Sequence, residues 1–141
     1  MAIKINTTIG TSHGITDEAY VRIYRYVIDR NKGALEVYVN VFKSEADAQL
    51  IETSISSRVG APIHDRFIAK VDAISHYHSI PMTASITEVI DGRPYIKNVA
   101  DFSSLQGEDI FAKAYPLLKA KLAVDLQERG MIEGPHHLVD C

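Results

Sequence analysis

The chain is nearly devoid of cysteine. Its one thiol, Cys141, is the last of 141 residues, so no disulfide can close within the chain. That argues against a small secreted module held together by crosslinks. Tryptophan is absent as well, and with it the broadest aromatic platform for stacking a sugar. A positive surplus is also missing: 15 Lys and Arg stand against 18 Asp and Glu, for a formal charge of -3. Phosphate backbones are held by concentrated Lys and Arg, so no nucleic-acid partner is expected. No apolar run approaches the roughly 18 residues of a membrane span. The opening Met1–Asn6 alternates at once and lacks the apolar core of a secretory signal. The expectation is a protein that assembles in a reducing cytoplasm, with no membrane contact.

What is present is enough for one ordinary domain, residues 1–141, with 46% hydrophobic and 23% charged residues. The strongest pattern lies between Ala19 and Ser44. Two strand-like runs flank the loop Asp29-Arg30-Asn31-Lys32-Gly33 and read as a β-hairpin. Strict alternation places Tyr20, Arg22, Tyr24, Tyr26 and Ile28 on one face, and in the second run sets Leu35, Val37, Val39 and Val41 against Glu36, Tyr38, Asn40 and Phe42. Residues 2 to 9 alternate as a first strand, and Gly10 to Glu18 reads as a polar loop.

Ser44 is placed to cap a short helix whose first turn carries Glu45 and Asp47. A Ser- and Gly-containing connector follows through Pro62, and the apolar residues between Ile63 and Tyr77 fit either an irregular strand or a short helix, of which the strand is favoured. Asp91-Gly92 is a strong turn signal joining Met82–Ile90 to Tyr95–Val99, a second hairpin with Pro94 at a strand entry. The period then changes. Ile110, Ala114, Leu117, Leu118, Leu122 and Leu126 form one helical stripe, which predicts a helix over about 108–129, ended by Gly130 and kinked or divided at Pro116. The segment 131–141 either docks or stays loose. The fold class expected is α+β: a mainly antiparallel, sandwich-like sheet with a short mid-chain helix and a C-terminal helix.

Candidate chemistry is sparse. His76 and His78, two apart, would share a strand face and could hold a metal with His64 or Asp72 as a further ligand. Two histidines without a fixed acidic or thiol partner do not make a metal centre, so neither a metal nor a cofactor is expected. His136-His137 diverge on an extended chain, and His13 stands alone in a polar loop. The acids fall where turns and helix starts favour them. No nucleophile elbow, phosphate loop, dinucleotide fingerprint or zinc-protease element occurs, so no catalytic residue is assigned and catalysis is not expected. The tyrosine face at Tyr20, Tyr24 and Tyr26 reads either as a sheet face covering the core edge or as a contact between chains, since tyrosine is enriched in interfaces. With the apolar Leu138 and Val139 near the C-terminus, these tyrosines are the candidate subunit interface.

The segments Gly14-Ile15-Thr16-Asp17-Glu18-Ala19-Tyr20-Val21-Arg22-Ile23, Val39-Asn40-Val41-Phe42-Lys43-Ser44 and Asp109–Lys119, with the closing Val139-Asp140-Cys141, resemble those of small tail, baseplate-associated or collar proteins of tailed bacteriophages and prophages. The resemblance implies a non-enzymatic virion component without a cofactor. It would be made in the host cytoplasm and assembled, with copies of itself and other tail or connector proteins, into a ring at the tail, the distal tail and baseplate, or the head-to-tail junction. A ring of this kind repeats one interface built from two different patches per subunit. The alternative from another class is a soluble α+β domain that binds a small molecule or metal in the His64, His76 and His78 region.

Overall fold

The computed structural model describes residues 1–50, 68–107 and 109–141. Its architecture is α+β with antiparallel sheets and a C-terminal helix. The strands are β1 (Ile3–Ile5), β2 (Ile9–Thr11), β3 (Gly14–Thr16), β4 (Ala19–Asp29), β5 (Ala34–Phe42), β6 (Ile68–Ala69), β7 (Tyr77–Pro81), β8 (Thr83–Ile90), β9 (Arg93–Ala100) and β10 (Leu138–Asp140). The main sheet runs β10-β1-β4-β5-β6, with β7 also paired to β5; β2 with β3 and β8 with β9 form separate two-stranded ribbons.

The central hairpin forms where alternation predicts it. Asp29 Oδ1 accepts from the N–H groups of Asn31 and Lys32 at 3.0 and 3.1 Å, and Gly33 turns the chain at φ 61°. One irregularity changes the reading of its first strand. The β4–β5 register shifts between Ile23 and Arg25, where an extra residue makes a β-bulge. Because side-chain direction has period two, that residue reverses every later side chain of β4. Before it Val21 and Ile23 face the helix; after it Tyr26 and Ile28 do.

The helix Ile110–Glu128 covers one face of the main sheet and buries Ala114, Tyr115, Leu118, Leu122, Ala123 and Leu126 against Val21, Ile23, Leu35, Val37 and Val39. Asp109 is its N-cap, accepting the Ala112 N–H at 3.0 Å. At the other end the Gly130 N–H donates to the Gln127 carbonyl and the Met131 N–H to the Leu126 carbonyl, both at 3.0 Å, with Gly130 at φ 70°. This is a Schellman closure, which settles the orphan carbonyls. Pro116 stays inside one continuous helix rather than dividing it. Its ring lies on the exposed side, and burial of six neighbouring side chains offsets the roughly 3 kcal/mol that an internal proline costs.

Other expectations are corrected in detail. Residues 2 to 9 break after Ile5, and Gly10 to Glu18 holds the small β2–β3 hairpin rather than a plain loop. The helix after Ser44 begins at residue 45, with Ser44 Oγ accepting the Asp47 N–H at 3.3 Å. The serine-rich connector and His64 lie outside the described residues. Between Ile68 and Tyr77 there is a two-residue strand and a Val71–Ile74 bridge rather than one strand. The C-terminal segment docks: β10 pairs antiparallel with β1, Leu138 and Ile132 are buried, and Ala2 and Cys141 exchange backbone hydrogen bonds of 3.1 and 3.0 Å.

Candidate functional site

The β8–β9 hairpin is a free-standing arm. Every residue from Arg93 to Val89 across its tip is exposed, and along both strands only Ala84 and Val99 are half-buried. Eight residues per strand extend about 26 Å at the usual rise. An isolated two-stranded ribbon is marginal in water, so the arm depends on its anchorage. At its base the Met82 N–H donates to the Gly33 carbonyl and the Asp101 N–H to the Met82 carbonyl, both at 2.8 Å. Gly33 lets the loop approach closely, since a Cβ there would sit 3.1 Å from Thr83 Cγ2. At the tip, Asp91 and Gly92 take φ 52° and 75°, the left-handed pair that the Asp-Gly signal calls for.

Its two faces differ in chemistry. The register pairs Thr83 with Ala100, Ser85 with Asn98, Thr87 with Ile96 and Val89 with Pro94, so one face carries no charge at all. On it Val89 is 70% and Ile96 78% exposed. The reverse face pairs Ile86 with Lys97, Glu88 with Tyr95 and Ile90 with Arg93, and there Lys97 Nζ meets Glu88 Oε2 at 3.1 Å.

A second exposed surface lies on the main sheet opposite the helix. Tyr24, Tyr38 and Tyr77, from β4, β5 and β7, form an aromatic ladder with ring centroids 6.3 and 5.3 Å apart. The Arg25 guanidinium stacks over Tyr38 at 5.0 Å. Tyr77 Oη donates to Glu36 Oε1 at 2.9 Å, fixing one end of the ladder. Tyr24 and Tyr77 remain 54% and 41% exposed.

The bulge divides the tyrosines singled out by alternation: Tyr20 and Tyr24 lie on the sheet face away from the helix, and Tyr26 on the helix side. Tyr20 is buried beside Phe42, Ala2 and Ala48 in a small cluster. Tyr26 turns under the sheet and meets Phe111 edge-on at 4.9 Å. Of the three, Tyr24 alone belongs to the open ladder, since Tyr20 on the same side of the sheet is covered and Tyr26 is turned away by the bulge. Leu138 is buried in the core cluster, whereas Val139 is 41% exposed. Sequence reasoning missed Tyr38 and Tyr77 as partners of Tyr24, because the bulge sets Tyr24 beside Tyr38 and the β5–β7 pairing brings Tyr77 to Tyr38 from a distant part of the chain.

Of the candidate histidines that are described, His76 and His78 are held by different partners. His76 Nδ1 donates to the Val39 carbonyl at 2.9 Å at the sheet margin. His78, 3% exposed, faces the helix, where Lys121 Nζ lies 3.4 Å from its Nδ1 and its Nε2 has no partner among the described residues. Burial first, and the Lys121 ammonium second, hold the imidazole below its usual range, against weaker pulls from the Ser75 carbonyl and the Asp125 carboxylate. A cavity of about 300 Å³ opens beside it, lined also by Asp125, Glu128 and Arg129. Among the described residues no three His, Cys, Asp or Glu side chains are grouped to hold a metal. No described helix is long and apolar enough to cross a membrane. Comparison with protein families, curated proteins and solved structures finds no match.

Proposed function

We propose that this chain is a non-enzymatic structural subunit that assembles with copies of itself, as a ring or adaptor of a tailed-phage tail, distal tail or head-to-tail junction. The observation that carries the self-assembling part is the uncharged face of the arm, whose Val89 and Ile96 stand 70% and 78% exposed. Exposed apolar surface of that kind marks a contact with another macromolecule. The phage setting rests on the resemblance of the segments around Gly14–Ile23, Val39–Ser44 and Asp109–Lys119. On this reading the partners are copies of the chain and other tail or connector proteins, the site of action is the virion, and neither cofactor, nucleic acid nor membrane takes part.

Sedimentation velocity over a hundredfold concentration range tests the first part: a subunit of this class sediments as a closed oligomer, and a monomer at every concentration would reject it. Immunogold labelling of tailed particles from the strain encoding the chain tests the second. One ring of label at a fixed position on the tail is expected, and unlabelled particles would reject the virion assignment.

The buried His78 and its cavity favour a second reading, a soluble domain that binds a small molecule. A thermal shift of several degrees with one compound from a panel of small anions and zwitterions, absent in Lys121→Ala, would support it.

A further inference from the structure

We infer that the uncharged face of the arm docks across the tyrosine ladder of a second copy of this chain. The inference rests on the self-assembly reading and names the two surfaces that meet. Both halves of the contact are exposed in the structure. The arm offers Thr87, Val89, Pro94 and Ile96 without one charge among the eight residues of that face. The ladder offers Tyr24 and Tyr77, exposed, with Tyr38 between them under Arg25. β-Branched side chains against aromatic rings are a favourable pairing, and the arm face brings no charge of its own to be stripped of water, while the Arg25 guanidinium keeps its contact with the Tyr38 ring.

Within one chain the two surfaces belong to different sheets, and the arm residues of the uncharged face stay exposed. Hydrogen bonds from Met82 to Gly33 and from Asp101 to Met82 fix the root of the arm at the β4–β5 loop. The ladder lies back along the main sheet, at residues 24, 38 and 77. A second copy supplies the missing partner on each side.

Area favours the same occupant. A ribbon two strands wide and about 26 Å long presents on the order of 250–300 Å² per face at standard strand spacing. One arm laid on an unrelated protein buries roughly twice that, below the approximately 1,000 Å² expected of a stable interface. Two copies that exchange arms across a two-fold axis double that area within one interface, to about 1,000–1,200 Å², whereas around a ring each junction holds one arm and closure adds avidity without new surface. The arm-on-ladder contact is compatible with both arrangements.

The test uses the full chain with Ile96→Asp on the uncharged face, Tyr24→Ala on the ladder, and Ile86→Asp on the charged face as the control, each checked by its unfolding curve. Sedimentation is expected to show about tenfold or greater weakening of association for Ile96→Asp and for Tyr24→Ala, with Ile86→Asp close to the parent. The decisive arm is complementation. Ile96→Asp keeps an intact ladder and Tyr24→Ala keeps an intact arm, so an equimolar mixture should form a one-to-one pair that neither variant forms alone. A parent chain that assembles while both variants assemble equally well overturns the docking surfaces and leaves self-assembly standing. Equal weakening by Ile86→Asp, or mixed variants that stay monomeric, overturns the arm-on-ladder contact. A parent chain that is monomeric throughout overturns the self-assembly reading itself, and binding of the arm to anionic vesicles or to a different protein instead would name a different occupant.

Discussion

The phenol of Tyr115, on the C-terminal helix, accepts the backbone N–H of Ile23 at 2.9 Å across 92 residues of sequence. Ile23 is the last residue before the β4 bulge, where strand pairing is interrupted and a backbone donor needs a partner from elsewhere. Tyr115 is buried, and that burial raises its phenol above the usual range, so it stays protonated while it accepts. Helix, bulge and register are thereby tied together. Tyr115→Phe keeps the ring and strands the donor, with an expected loss of about 1–3 kcal/mol in denaturant unfolding. Unchanged stability would mean that water takes over the bond.

The helix stripe gives a second prediction. Leu118 and Leu122 are fully buried against the main sheet, so either substitution by Ala should cost about 2–5 kcal/mol. Val124 on the outer side should change stability by less than about 0.5 kcal/mol when replaced by Ala. Chemical denaturation of the three variants checks the contrast, and equal losses would mean that the helix packs through a different face.

A third prediction concerns pH. The folded pKa of His78 lies below its ordinary value of 6.5, so the unfolded chain takes up a proton there more readily than the native one. Its contribution is complete above about pH 6.5 and is lost as pH falls through the depressed native value. The expected result is a thermal midpoint that drops from pH 7 to pH 5 more steeply in the parent than in His78→Gln. Parallel curves would show that the ring is solvated enough to protonate in place.

The C-terminal strand supplies a fourth. Leu138 is buried and Val139 exposed on β10, so Leu138→Ala should destabilise by about 2–5 kcal/mol while Val139→Ala should not. Deleting 131–141 removes Ile132 and Leu138 together with the edge pairing of β1, and should impair folding before it affects association. An oligomer lost at unchanged stability would instead make this segment a contact between chains.

Local pattern carried the central hairpin, the Asp91-Gly92 turn and the C-terminal helix, because each depends on neighbours in sequence and on one period. Three features escaped it for physical reasons. A bulge has no signature in alternating Tyr, Arg and Ile, so Tyr20, Tyr24 and Tyr26 look equivalent until the pairing partner fixes the register. The arm alternates like any half-buried hairpin, and only its placement beyond the main sheet leaves Val89 and Ile96 in solvent. Tyr115 sits beside Ala114 on the stripe, yet its polar role requires a donor 92 residues away. The tyrosine ladder likewise exists only through the β4, β5 and β7 pairing.

The pairing of Ala2 with Cys141 has a mechanical consequence. A pull applied between the two ends would load the β1–β10 hydrogen bonds one pair at a time, as a zipper opens, instead of shearing them together. The chain should therefore yield at low force at that margin, while the arm, rooted at the far end of β4, stays unloaded. Tethering through both ends would probe the weakest line of the sheet, and tethering through one end and the arm tip would place the tension along the full length of β4 and β5.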